Sequence, residues 1–360
     1  MSMSISGYGI MPELIANSTQ IHNQLDTLTE QASTGLVSQS YAGLGGQASV
    51  SLDLNPELAA LQTDQDNIGQ ATGSMGVTQA AMTQIQQIAA NFVGDIPDLD
   101  GLSGTEVDTV AAQANSALQQ VANLLDTQDG DVYVFAGQDS GNPPVPSPDN
   151  ILNSGFYSQI NQAVAALGSN GASATAAATL AIAGSNASGT SPFSTYLSQP
   201  AADISAPVVQ TGEGSTVQTG LLASANSVAV STGSSTTGSY MRDLMRALAT
   251  LGSLSSSQMG DAGFAGLVQD TGTSLNGVVS AMATDVGILG NSQSNLTSIQ
   301  TQLSDTSTAL TTQLSSVQDV DMAQTLSSLT SVQTQLQASY RLISEQSSLS
   351  LVNFLPTTSV

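Results

Sequence analysis

From Asn291 to Phe354 apolar residues recur at three- and four-residue spacing. Leu296, Leu303, Leu310 and Val317 follow at seven-residue intervals, with Ile299 and Leu314 beside them. After Asp319-Val320-Asp321 the phase shifts, and a second series runs Met322, Leu326, Leu329, Val332, Leu336, Tyr340, Ile343. Such spacing lines up one stripe along a helix. Ser, Thr and Gln fill most positions between. No Pro or Gly interrupts the stretch, which predicts one continuous helix roughly 90–100 Å long at 1.5 Å per residue. A stripe of that length needs another long helix beside it.

The opposite end of the chain offers the partner. Leu14, Ile21 and Leu28 form one seven-residue series, and Ser18, Leu25 and Ala32 the interleaved one. Pro12 suits a first helical turn, and Thr34-Gly35 reads as the stop. Two amphipathic helices at opposite ends predict a terminal coiled coil of residues 1–42 and 320–360.

Between them the pattern changes several times. Ser38 to Gln47 is glycine-rich and reads as an irregular link. Pro56, placed at the first helical position, opens a second long pattern through Leu58, Leu61, Ile68, Met75, Met82, Ile85 and Phe92. Gly69, Gly73 and Gly76 inside it each cost a helix about 1 kcal/mol against Ala, and close helix packing is the reason expected for them. Asp95 to Gly101 is a turn. Thr105-Glu106-Val107-Asp108 starts a third helix, with acids where the helix dipole favours them. Asp129-Gly130 turns the chain into a β-type tetrad, Val132 to Phe135.

Four prolines from Pro143 to Pro148 mark a boundary. Residues 150–190 are rich in Ala, Ser and Gly, with short helices expected at Phe156–Leu167 and Ala172–Ala183. Their sparse bulky apolar content predicts a small outer module, 138–207, that shares no core with its neighbours. Val208–Thr211 and Ser215–Thr219 around Gly212-Glu213-Gly214 carry a hairpin signal. Tyr240 to Leu251 reads as a short amphipathic helix. The predicted fold class is therefore mainly α: an elongated helical rod (43–137 and 208–319) with a β-hairpin, a terminal coiled coil and an inserted module.

Several motifs resemble one family. Asp319-Val320-Asp321-Met322-Ala323-Gln324, Leu336-Gln337-Ala338-Ser339-Tyr340 and Leu349-Ser350-Leu351-Val352-Asn353-Phe354-Leu355 are similar to the C-terminal signature of bacterial flagellins. Gln31-Ala32-Ser33-Thr34-Gly35-Leu36 resembles the Thr-Gly turn of their N-terminal region. Asp129 to Gly137, DGDVYVFAG, resembles a segment found in the hook–filament junction members of that family. Where a flagellin carries a segment recognised by innate immunity, this chain has Gln86 to Phe92 without Arg, so that recognition is not transferred.

The resemblance implies a structural subunit of the bacterial flagellum, at the hook–filament junction, serving motility. It implies self-association with other axial flagellar proteins (hook-associated proteins and flagellin). It also implies an export chaperone on the C-terminal helix and passage through the flagellar channel without a cleaved signal peptide. Candidate assembly residues are Leu14, Ile21, Leu25, Leu28, Leu326, Leu329, Leu336, Tyr340, Ile343, Leu351 and Phe354. Leu336 is expected to be solvated in the free subunit and covered by neighbouring ones. Two alternatives stay open: a filament flagellin, and a secreted acidic calcium-binding adhesin. A secreted hydrolase has no motif behind it.

Composition narrows the chemistry. Of 360 residues 27 are acidic and 3 basic, giving a net charge of −24. The bases are Arg242, Arg246 and Arg341. That is no footprint for phosphates, so nucleic acid is excluded as a partner, and an anionic membrane surface is disfavoured. No cysteine is present, which removes disulfides, thiolate metal sites and thiol catalysis. Met1 to Pro12 lacks a signal-peptide pattern, and no apolar run reaches membrane-spanning length.

Candidate chemistry is thin, and no enzyme, cofactor or metal site is expected. His22, the single histidine, reads as a plain polar position on the first helix. Asp126, Asp129 and Asp131 surround Gly130 without the alternation or closing Glu of a calcium loop, so a turn is expected there, as at Asp95, Asp98 and Asp100. No Gly-x-Ser-x-Gly elbow occurs, and Gly43-Leu44-Gly45-Gly46 lacks the Lys of a phosphate loop. Arg341, beside Tyr340, reads as a structural ion pair or a subunit contact.

Overall fold

A computed structural model describes residues 10–96, 103–212, 215–230 and 232–348. Candidate residues Leu351 and Phe354, with Asp98, Asp100 and most of the leader, lie outside the described residues. The described chain is mainly helical, as the periodicity predicts. Its helices are α1 (Ile10–Thr34), α2 (Ala48–Asp95), α3 (Gly104–Leu125), α4 (Gly155–Ala165), α5 (Leu167–Ala183), α6 (Tyr240–Gly252), α7 (Phe264–Gln318) and α8 (Met322–Ser348). Two small antiparallel sheets join β1 (Gln128–Asp129) to β2 (Val132–Tyr133) and β3 (Val208–Gly212) to β4 (Ser215–Gln218). The chain divides into two compact units, Met1–Gln62 with Ser304–Val360 and Thr63–Leu303.

In the first unit α1 and α8 pack together. They run antiparallel: Leu36, just past α1, bridges Asp319, just before α8, while His22 meets Tyr340 further along both. The continuous helix expected from Asn291 is broken here. Gly35 has φ +75°, a turn that an L side chain resists. The Val37 N–H then donates to the Gln318 carbonyl (2.7 Å) and the Val320 N–H to the Gly35 carbonyl (2.9 Å). These bonds take backbone groups that a helix would use. Asp321 caps the restart, its Oδ1 accepting from the N–H of Ala323 (2.9 Å) and Gln324 (3.1 Å). The shift of apolar phase after Asp321 marks the break, although spacing alone is also compatible with a continuous helix.

The second long helix begins at Ala48, after a 3-10 stretch, and Pro56 lies inside it rather than at its start. Pro56 removes one helical N–H. Leu52, whose carbonyl loses that partner, is exposed, as is Pro56, so water can replace the bond.

The second unit is built around α6, on which α3, α4 and α5 pack. Every residue from Tyr240 to Gly252 is buried. The amphipathic helix expected there is instead a central one, with its polar residues inside. The Ala-rich stretch also departs from expectation. Phe156, Ile160, Val164 and Leu167 share one hydrophobic cluster with Leu118, Val121 and Leu248. Few large residues suffice because they fall on one helical face, while Ala176 and Ala183 let α5 approach closely. Gly171, at φ +77°, sets off the Ala172–Ala183 helix from a preceding turn.

The hairpin at Gly212 forms as the glycines predict, with Val208 opposite Gln218 and a shift of register between Gln210 and Gly212. At Asp129-Gly130 the strands are only two residues each. Gly130 takes φ +61° in the turn, and Phe135, expected in a strand, is fully buried as an anchor, its carbonyl accepting from the Ala223 N–H (3.0 Å). The α2 glycines are not close-packing points. A Cβ at Gly73 or Gly76 would meet nothing within 4 Å, and one at Gly69 only Gln300 at 3.9 Å.

Candidate assembly surface

Exposure decides which side chains of the α1–α8 pair are available to another molecule. Thr325, Val332 and Ser339 are buried, Leu336 is 8% exposed, and Leu329 and Ile343 are half-buried. These positions alternate at three and four residues and form the face of α8 that lies on α1. Leu14, Ile21, Leu25 and Leu28 are half-buried on the matching face of α1, with Ser18 buried among them. The heptads of the two ends thus pair within one chain. Leu336, expected from the sequence to be solvated in the free subunit, is instead buried there, on the face of α8 that packs on α1. A stripe read from sequence does not say which helix satisfies it.

A second apolar set remains uncovered. Met322 is 40%, Leu326 49% and Tyr340 48% exposed. Leu326 is about one turn after Met322, and Tyr340 about five turns after it, so the three share one flank of α8. The contact between Tyr340 and His22 puts His22 on the same flank of the pair. Ile15, one heptad before His22, is 57% exposed there too. Large apolar side chains gathered on one exposed flank mark an interaction surface better than scattered ones do. Of the sequence candidates, Leu326 and Tyr340 lie on it. Ile15 and Met322 add to it; Met322 was legible only as part of a stripe, and Ile15 falls outside either heptad series.

His22, expected to be plain polar, is exposed and paired: Nε2 lies 2.5 Å from the Tyr340 hydroxyl. The rings approach with centroids 6.1 Å apart. Arg341 is exposed on α8. Among the described residues the one ion pair is Arg246 with Asp270, so the structural ion pair expected for Arg341 does not form within this chain's described part.

The other two bases have a different use, which the sequence did not disclose. Arg242, on α6, donates to the carbonyls of Ala183 (3.1 Å), Ser185 (3.4 Å) and Ser224 (3.3 Å) and to Oδ1 of Asn186 (2.8 Å). It also lies over the Phe193 ring, 5.2 Å from the centroid. A cation at the last carbonyls of α5 suits that helix's dipole. Arg246 is 1% exposed and reaches Asp270 at 3.2 Å, the Ser235 carbonyl and the Thr179 hydroxyl. Asp243 accepts from the Thr236 hydroxyl (2.6 Å) and the Thr237 N–H (2.8 Å). Burial raises the Asp243 carboxyl above its usual range, against these hydrogen bonds and Arg246. Burial likewise lowers Arg242, which Asp243 partly offsets. These groups tie α5, α6 and α7 together.

Asp126 ends α3 and accepts the Val145 N–H at 2.8 Å. Burial pushes its carboxyl up to about 6, against that hydrogen bond. It is a loop fastener, as the turn reading expects. No helix among the described residues is long and apolar enough to cross a membrane.

The described residues thus comprise a pair of terminal helices with an uncovered apolar flank and a helical unit with a hydrogen-bonded polar interior. The N-terminal helical region of bacterial flagellin matches residues 5–140, and its C-terminal helical region matches residues 273–355. Together they cover more than half of the chain, which belongs to the bacterial flagellin family. As a member it is a structural subunit of the extracellular flagellum that assembles with other flagellar subunits. No curated protein matches it.

Proposed function

We propose that this subunit works at the hook–filament junction, where it joins hook-associated proteins and flagellin and so contributes to motility. The observation behind this reading is the Asp129–Gly137 segment, which resembles junction members of the family. Its packing supplies a physical role: Gly130 makes the turn and Phe135 anchors it in the core. Residues 1–42 and 320–360 serve as the assembly part, through the exposed flank of the α1–α8 pair. An export chaperone holds the C-terminal helix before assembly, since an apolar flank needs cover until a neighbour arrives. The chain performs no catalysis.

Position in the flagellum tests the reading. An epitope inserted after Asn170, exposed and just before the kink at Gly171 in α5, is located by electron microscopy on whole cells. Label confined to the filament base supports a junction role. Label along the filament makes the chain a filament flagellin. Calorimetric binding of calcium with no label on flagella would favour the adhesin.

A further inference from the structure

We infer that Arg341 of one copy pairs with the Asp26–Glu30 carboxylates on α1 of a second copy, fixing the register of their contact. The inference rests on the self-assembly reading and names the charges that orient it.

The chain has three basic side chains, and Arg242 and Arg246 are buried in the second unit. Arg341 is therefore its one exposed Lys or Arg. It stands one residue past Tyr340, which places it at the outer edge of the exposed apolar flank on α8. Asp26 follows His22 by four residues, and Glu30 follows Asp26 by four, so both border the same flank on α1. Both are exposed, and α1 carries no Lys or Arg. Like charges at this spacing repel within a helix, and a cation from outside relieves them.

The flank thus has apolar side chains, Ile15, Met322, Leu326 and Tyr340, with Arg341 along one edge, the exposed Glu345 one turn beyond it, and Asp26 and Glu30 along the other edge. Two such faces laid together bring the cationic edge of each to the acidic edge of its neighbour. An approach that lays two α1 edges together sets Asp26 and Glu30 of one copy against those of the other. Opposed charges at a contact rim select register and partner more than they add affinity. A single usable cation therefore carries unusual weight in choosing the contact.

The test uses the full-length chain and charge reversal. Self-association is followed by light scattering and electron microscopy for the unaltered chain, Arg341→Glu, Arg341→Gln, Asp26→Lys/Glu30→Lys and the combination of both reversals. Arg341→Glu is expected to raise the concentration needed for association on the order of tenfold, and Arg341→Gln less. The combined reversal is expected to restore association, and the gap between variants to narrow as salt rises. Unchanged thermal unfolding of each monomer separates these effects from misfolding, since all three positions are exposed. Association of Arg341→Glu at the unaltered threshold overturns the inference and leaves self-assembly standing. A deficit not rescued by the combined reversal overturns the Asp26–Glu30 pairing. Failure of the unaltered chain to associate overturns both this inference and the reading beneath it.

Discussion

Nε2 of His22 lies 2.5 Å from the hydroxyl of Tyr340, a residue 318 positions away. The pair joins the two ends of the chain on the exposed side of one antiparallel helix pair. On the seam side of α8, Leu336 and Val332 are buried; on the flank that carries Tyr340, about four to five turns towards the start of α8, Leu326 and Met322 are not. The subunit separates residues that hold its own ends together from residues left for a neighbour.

Leu336→Asp is therefore expected to damage the monomer. A carboxylate forced into the α1–α8 seam should cost about 3–5 kcal/mol, and the pair should open. Hydrogen exchange of the isolated subunit should show lost protection in both α1 and α8. Leu326→Asp, on the exposed flank, should leave exchange unchanged. Equal exchange in the two variants would remove the distinction between seam and flank.

Arg246→Ala is expected to destabilise the second unit by about 3–5 kcal/mol, because it leaves a cavity and strands Asp270 without its cation. Arg341→Ala should change thermal stability by less than about 0.5 kcal/mol, as exposed substitutions usually do. Thermal unfolding by circular dichroism measures both.

Asp126 gives the unit a pH dependence. Its carboxyl titrates near 6 in the fold against an ordinary 3.8, so the folded state holds the proton more tightly than the unfolded chain. The sign follows: this group's contribution is fully present at low pH and is lost as pH rises through that window. A carboxylate at the C-terminal end of α3 is also opposed by the helix dipole. Asp126→Asn can still accept the Val145 N–H through its carbonyl oxygen. It should gain about 1 kcal/mol at pH 7, a figure discounted for partial exposure, and flatten the pH profile. Denaturant midpoints between pH 3 and 8 would show whether the slope disappears.

Gly73→Ala should stabilise α2 by about 0.5–1 kcal/mol, since the added methyl meets open space and the unfolded chain loses freedom. A lower melting temperature would mean that the glycine is needed for a contact made in assembly or for a backbone bend.

Much of this architecture is legible in the amino-acid order, and the reasons for the remainder are physical. The heptads at Leu14–Ala32 specify α1 and its seam because spacing alone fixes a helical face. The phase shift at Asp319–Asp321 is legible but not the break it marks, because non-local backbone bonds with Gly35 and Val37 make it. Arg242 and Arg246 read as ordinary polar positions on a helix; only the packing of three helices on α6 turns them inward. The candidate surface was half visible: Leu326 and Tyr340 belong to a readable stripe. Whether α1 or a neighbour covers a given stripe residue depends on which helix arrives first, and periodicity does not encode that.

The account's central claim is that the exposed flank of α8 is buried when subunits assemble. The chain has no cysteine, so a single Leu326→Cys substitution supplies a unique probe, with Leu336→Cys as the seam control. The rate of reaction with a thiol reagent is measured on monomer and on assembled material. Leu326→Cys should label rapidly as monomer and become strongly protected after assembly, while Leu336→Cys stays slow in both. Equal labelling of Leu326→Cys in the two states would contradict the claim.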